Sequence, residues 1–293
     1  MRTTGLLTGA ARLRARLDSR QILAAPGAGD PLTARLVAEA GFEAVYMTGL
    51  GATAARLGTP DLGLMTQTEM AEQLRALVRV CDLPVIADAD TGYGGPLNLR
   101  RTFQDYAMAG AAALHLEDQE SPKRCGQLSG VRLVSRSEAA KRLAALVAIR
   151  AEMQTDLVLI GRTDALQPEG LDAALDRARA YRDTGVDLVF VDGVKTRAEV
   201  EAIARGLEGP KVVSLVDGTE AANVTQRELE QMGFSIALYA VSALFGAISG
   251  SRAALAALKQ NGHPDADPTV SYADYAQVVD LAGHQKFAHD YEA

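Results

Sequence analysis

The chain has 293 residues, 48% of them hydrophobic and 23% charged, with a formal net charge of −7 at pH 7. Such a chain can bury a large core, and its acidic balance excludes a main role in gripping nucleic-acid backbones, which takes a basic stripe. Two cysteines, Cys81 and Cys125, exclude a disulfide scaffold, and no apolar run reaches the ~18 residues a membrane helix needs.

The first 23 residues carry Arg2, Arg12, Arg14, Arg16 and Arg20 with no unbroken apolar segment, so they do not read as a secretory leader; the basic, acid-poor composition resembles a transit peptide, and an exposed first helix is the preferred reading. Reduced thiols and a cytoplasmic location are expected. Short apolar runs then recur at 22–25, 44–47, 85–87, 113–116, 157–160, 188–191, 212–215 and 236–239. Near-continuous runs of this length suit parallel strands buried on both faces. Helical stretches lie between them, at 31–40, 68–80, 97–109, 137–153, 171–184, 197–205 and 225–232. The first opens at Asp30-Pro31, an N-cap followed by a residue preorganised for a helix start. Three stop at the same signal, Gly41, Gly110 and Gly185. Strand and helix alternating in this way predict a (β/α)₈ barrel. The alternative, an open doubly wound sheet, usually has fewer strands, and no Gly-rich dinucleotide fingerprint follows the first run. Residues 1–293 read as one barrel domain. Within it, 244–293 form a helical extension: a helix at 244–260, a polar linker at 261–269 and an amphipathic helix at 272–289.

Barrel enzymes work at the carboxyl ends of their strands. The residues closing the apolar runs therefore become candidates: Tyr46 to Gly51, Asp88 to Gly94, Glu117-Asp118-Gln119, Arg162-Thr163-Asp164, Asp192, and Ser214 with Asp217 beyond. All are expected at one mouth. Asp88 and Asp90 share a face of an extended strand, and Glu117 comes from the next strand. Three converging carboxylates suit a hard divalent cation, Mg²⁺ or Mn²⁺, held with water and substrate oxygens. The alternative is separate capping and ion-pair roles, for instance with Arg162. Cys125 follows Lys123 and Arg124 in a polar loop, where nearby cations are expected to lower the thiol pKa and make it a nucleophile or a general acid. Cys81 closes an apolar helix and reads as packing. His115 lies two residues before Glu117, and points into the barrel or sits satisfied in the core. His263, His284 and His289 fall in the linker and the last helix, and no zinc spacing occurs.

These residues stand in ordered motifs: Tyr46-Met47-Thr48-Gly49, Leu57-Gly58-Thr59-Pro60-Asp61-Leu62-Gly63, Asp88-Ala89-Asp90-Thr91-Gly92-Tyr93-Gly94, His115-Leu116-Glu117-Asp118-Gln119, Pro122-Lys123-Arg124-Cys125-Gly126 and Gly161-Arg162-Thr163-Asp164-Ala165. Together they resemble the isocitrate lyase/phosphoenolpyruvate mutase superfamily, in its 2-methylisocitrate lyase, 2,3-dimethylmalate lyase and carboxyphosphonoenolpyruvate phosphonomutase branch. The resemblance implies a barrel whose eighth helix is swapped between paired subunits in a homotetramer. It implies Mg²⁺ near Asp61, Asp88, Asp90 and Glu117, largely through water. A pyruvate-like unit would be held by Tyr46, Thr48, Gly49, Leu50 and Arg162. Lys123 to Gly126 match the gating loop, whose cysteine is the general acid of the lyases.

The chain also departs from the lyase pattern. Gln127 stands where a His is usual, Asp192 for Glu, Ser214 for Asn, Asp217 for Glu and Ala240 for Pro, and a Thr-Pro pair is missing from 219–223. These positions surround the leaving half of the substrate, with Gly126, Gln127, Asp192 and Ser214 as its expected contacts. Gln127 can hydrogen-bond a carboxylate but carries no charge, which disfavours 2-methylisocitrate. The function implied is Mg²⁺-dependent carbon–carbon cleavage of a 2-hydroxy dicarboxylate, releasing pyruvate or a related 2-oxo acid through an enolate. The alternatives are a phosphonomutase-like enzyme, an oxaloacetate decarboxylase or hydrolase, and an inactive barrel that only binds. A small acid is the expected partner, with neither nucleic acid nor membrane.

Overall fold

The computed structural model describes residues 8–264 and 270–292. The start of the chain with Arg2, and part of the expected 261–269 linker, lie outside them. Eight parallel strands close into a barrel in sequence order: β1 (Leu23–Ala28), β2 (Val45–Met47), β3 (Val85–Asp88), β4 (Ala113–Glu117), β5 (Val158–Thr163), β6 (Leu188–Val191), β7 (Lys211–Ser214) and β8 (Ile236–Tyr239). β8 returns to β1, with Leu23 opposite Ile236 and Pro26 opposite Tyr239. The helices are α1 (Gly9–Asp18), α2 (Pro31–Glu39), α3 (Gly49–Leu57), α4 (Gln67–Val80), α5 (Pro96–Ala109), α6 (Arg136–Glu152), α7 (Leu166–Glu169), α8 (Leu171–Arg182), α9 (Arg197–Gly206), α10 (Gln226–Gln231), α11 (Ser242–Asn261), α12 (Tyr272–Val278) and α13 (Leu281–Tyr291).

Strand pleating sorts the core into two layers. Tyr46, Ile86, Ala113, Val158, Ile160, Phe190, Val212 and Leu238 pack together inside the barrel. Val45, Met47, Ala87, Leu114, Leu159, Val189 and Val213 join the layer shared with the helices. Side chains alternate along a strand, so the same parity carried upward turns Asp88, Glu117, Arg162, Asp192 and Ser214 inward. The three glycine stops are left-handed, with φ of 81° at Gly41, 94° at Gly110 and 92° at Gly185. Only Gly takes that conformation freely, and it ends each helix next to the following strand.

Three expectations need correction. The first helix is not simply exposed: Leu13 is fully buried with the barrel interior, and Arg14 clamps Asp187 at 2.9 Å. Its arginines tie the helix across the barrel base. The span 272–289 is two helices, because Asp280 takes a left-handed φ of 55° and caps the second through Gly283 N. α3 and the short α7 were not anticipated. The glycines at 49 and 51 hide the start of α3, which Thr48 caps by accepting from Gly51 N.

Candidate active site

The strand ends surround a cavity of ≈ 140 Å³. Its walls include Tyr46, Thr48, Leu50, Asp61, Asp88, Cys125, Gly126, Gln127, Arg162, Asp192 and Ser214. Gly49 borders it through Asp88: its amide donates to Asp88 Oδ2 at 3.2 Å, and a Cβ there would sit 2.6 Å from the same oxygen. Asp88 Oδ1 accepts from Asp90 N at 3.0 Å. Burial works against the Asp88 charge, yet His115, then Lys123 and Arg162, outweigh it and hold the carboxyl below its usual range.

Two cations hold the acids. Lys123 Nζ lies 2.8 Å from Asp61 Oδ2 and 2.6 Å from Asp90 Oδ1. Arg162 reaches Glu117 at 3.3 Å, Asp164 at 2.8 Å and Asp192 at 2.6 Å. Burial pushes Asp90 up to about 6, with Asp88 and Asp61 adding to the rise. Burial likewise raises Glu117 and Asp192. Beneath them, the Tyr46 hydroxyl meets His115 Nε2 at 3.0 Å. Burial lowers His115 to about 4, so its ring is neutral at pH 7. Burial also keeps the Tyr46 phenol protonated.

The loop after β4 lies down on this cluster. Gln119 pins it through both the amide and the carbonyl of Arg124, at 2.9 and 2.8 Å. Cys125 N donates to Asp61 O at 3.1 Å. A Cβ on Gly126 would fall 2.5 Å from Asp164 Oδ1 and 2.6 Å from Asp192 Oδ2, so only glycine lets the loop settle here. The expected lowering of the Cys125 pKa is overturned: burial pushes the thiol up to about 11. Lys123 is spent on Asp61 and Asp90, and Arg124 is exposed, so neither cation is free to stabilise a thiolate. The thiol is therefore held in its protonated form near neutral pH, the form that is a poor nucleophile.

Not every strand-end residue reaches the mouth. Asp118 has the opposite parity to Glu117 and faces the helices, where it accepts from Thr163 Oγ1, Asp164 N and Tyr181 OH at 2.7, 2.9 and 2.7 Å. Asp217 is exposed and accepts from Ser242 Oγ at 2.7 Å, at the start of α11. Cys81 is buried at the end of α4, as packing requires. Conversely, Phe190, Val216, Val241 and Phe245 line the cavity without having been singled out. Strand parity marks Phe190; nothing local marks the others.

The donor set fits a hard cation. Six buried carboxylates (Asp61, Asp88, Asp90, Glu117, Asp164, Asp192) face two cations, Lys123 and Arg162. Asp90 Oδ1 and both Glu117 oxygens are buried without a hydrogen bond, though each acid has a cation nearby. Unmatched buried oxygens are costly. Among the described residues, no three His, Cys, Asp or Glu side chains stand ready to ligate one ion together. A cation here would take few protein oxygens and fill its shell with water and substrate, which suits Mg²⁺.

A family model described as phosphoenolpyruvate phosphomutase matches residues 13–259. The chain belongs to that family. Within the phosphoenolpyruvate phosphomutase family it is 35% identical to 2,3-dimethylmalate lyase of Eubacterium barkeri over 284 residues, covering 96% of this chain and 98% of that one. It superposes on oxaloacetate acetylhydrolase in complex with the inhibitor 3,3-difluorooxalacetate with a TM-score of 0.92, at 35% identity and 97% coverage of both chains. Phosphonopyruvate hydrolase in complex with oxalate and Mg²⁺ aligns with a TM-score of 0.86 at 28% identity, over 97% of this chain and 99% of that one.

Proposed function

We propose that this chain is a Mg²⁺-dependent carbon–carbon lyase that cleaves a small 2-hydroxy dicarboxylate into pyruvate, or a related 2-oxo acid, and a second carboxylic acid. One observation carries the reading: a thiol kept protonated by burial sits in the same small cavity as Arg162 and an acid cluster with unmatched oxygens. Asp61, Asp88, Asp90 and Glu117 would hold Mg²⁺, which when bound lowers the energy of an alkoxide or enolate oxygen as a Lewis acid. Thr48, Gly49 and Leu50 start α3, whose amino end favours the substrate carboxylate. Tyr46 and Lys123 position that half, Lys123 by fixing Asp61 and Asp90. Arg162 stabilises charge as the C2–C3 bond breaks. An ionised carboxylate of the cluster takes the C2 hydroxyl proton, the C2–C3 bonding pair passes to the leaving half as an enediolate, the Cys125 S–H proton is transferred to its carbon, and exchange with solvent between turnovers returns the first proton to the thiolate. Gly126, Gln127, Asp192 and Ser214 surround that leaving half.

The cavity is the size of about five water molecules. That favours a compact acid over a tricarboxylate, and it also supports a second reading, hydrolysis or decarboxylation of an oxaloacetate-like acid. A panel of 2-hydroxy and 2-oxo diacids, assayed for pyruvate with lactate dehydrogenase, separates the two. The lyase reading expects pyruvate from a dimethylmalate-like acid, lost in chelator and restored by Mg²⁺ or Mn²⁺. Turnover unaffected by chelator refutes the metal role, and oxalate with acetate from oxaloacetate supports the second reading.

The whole chain is read as one barrel with 244–293 as an arm. None of the twenty residues of α11 is buried, and Leu255 and Leu258 stand exposed. Its first turns border an apolar groove of ≈ 590 Å³ walled by Leu36, Val37 and Phe42. A barrel slot open beside an unpartnered eighth helix supports exchange of this helix with a second copy, two such pairs making a tetramer. Free Cys81 and Cys125, and no described helix able to cross a membrane, accord with a cytoplasmic setting.

A further inference from the structure

The loop after β3 folds against strain. Four of the five residues from Asp90 to Gly94 have positive φ: 46° at Asp90, 83° at Gly92, 61° at Tyr93 and 140° at Gly94. Asp90 and Tyr93 are not glycine, and an L side chain disfavours that conformation. Such residues persist only where their surroundings fix them. Part of the hold is local. Gly92 N donates to Ala89 O at 2.9 Å, and Glu117 N on β4 donates to Asp90 O at 3.0 Å.

Helix α5 supplies the rest. Its inward face carries Leu99, Thr102, Phe103, Tyr106 and Ala109 at helical spacing, all buried. The Thr102 hydroxyl has Asn98 O at 3.0 Å within its own helix and Gly92 O at 3.2 Å. On so apolar a face a phenylalanine at 106 would pack as well, and the Tyr106 hydroxyl is the part that needs a partner. It is fully buried and donates to Asp88 O at 2.9 Å. A phenol carries one proton, so across 3.4 Å the Tyr93 hydroxyl is the donor to Tyr106 Oη. The Asp88 carbonyl and the Ala89 amide share one rigid peptide plane. Ala89 N donates to His115 O on β4 at 3.1 Å, so β4 holds one edge of that plane and Tyr106 the other. Turning the plane would swing the Asp88 carboxyl, whose Oδ1 accepts from Asp90 N, and carry Asp90 with it.

We propose that Tyr106 is a positioning residue: through the Asp88 carbonyl it sets the Asp88 and Asp90 carboxylates for a divalent cation, a role that rests on the Mg²⁺ site proposed for this cluster. Tyr106 is not among the walls of the catalytic cavity, so it acts on the acids from behind. Bonds that orient metal ligands are typically worth roughly 10–100-fold in metal affinity, and one acting through the backbone falls at the low end.

The test is titration of the full chain with Mn²⁺, followed by electron paramagnetic resonance, which counts free ion and needs no turnover. Tyr106→Phe is expected to raise the Mn²⁺ dissociation constant about fivefold or more. Phe103→Leu, on the same buried face but with no polar group to lose, is the control and should stay within about twofold of wild type. Equal affinity in Tyr106→Phe and wild type would overturn the positioning role and leave the cation site standing. A loss in Phe103→Leu as large as that in Tyr106→Phe would also overturn it, because affinity would then follow packing alone. A wild-type chain that binds no Mn²⁺ would remove the cation site and the role together.

Discussion

Replacing Cys125 by Ser changes one atom and removes the most acidic proton donor of the closed loop. A thiol held at about 11 leaves on the order of one thiolate per thousand at pH 8, so the wild-type group is loaded with its proton throughout the working range. A serine hydroxyl is far less acidic and gives that proton poorly. Loss of a positioned general acid lowers turnover by roughly 10²–10⁴, or about 3–5 kcal/mol in the barrier. The substitution leaves the acid cluster and Arg162 in place, so oxalate or pyruvate should bind within about twofold of wild type, since no contact to that half is removed. The coupled pyruvate assay gives kcat, and fluorescence titration gives binding. The sign of the shift adds a second check. A folded-state pKa raised from 9.0 to about 11 keeps the thiol form at pH values where an ordinary cysteine has lost it, so the alkaline decline assigned to this group should lie near pH 11. A serine variant with kcat within threefold of wild type, or an alkaline limb near 9 that vanishes in the variant, would refute the donor role as argued.

Three other changes probe the remaining parts. Arg162→Lys offers one ammonium where three carboxylates now share a planar fork, and kcat/KM should fall roughly 10²–10³ in the same assay. Asp118→Ala, on the helix side of β4, removes the acceptor of Thr163 Oγ1 and Tyr181 OH, while Arg177 stays paired with Glu169. It should destabilise the fold by about 1–3 kcal/mol, lowering Tm by several degrees in calorimetry. Leu255→Glu with Leu258→Glu places charge on the exposed side of α11, and light scattering should show the mass dropping toward a single chain. An unchanged mass would count against helix exchange.

The barrel was legible because strands buried on both sides leave near-continuous apolar runs, and all eight predicted runs overlap observed strands. Gly41, Gly110 and Gly185 marked helix ends for a reason that needs no tertiary context: the backbone there must turn left-handed. Inward and outward parity could also be read, and applied strictly it would have separated Asp118 from Glu117. The environment of Cys125 could not. Neighbours in sequence, Lys123 and Arg124, suggested an activated thiol, but the chain folds so that Asp61 and Asp90 claim the lysine and Arg124 stays exposed. Charge adjacency along a chain says little once side chains choose partners across a barrel.

Gly126 sets how closely the loop can approach the acids. A Cβ there would fall 2.5 Å from Asp164 Oδ1 and 2.6 Å from Asp192 Oδ2, so any larger residue would have to displace those carboxylates or hold the segment off them. On the lyase reading proposed above, such a substitution would draw the sulfur away from the leaving fragment and admit water beside it, so unproductive protonation should rise as the side chain grows.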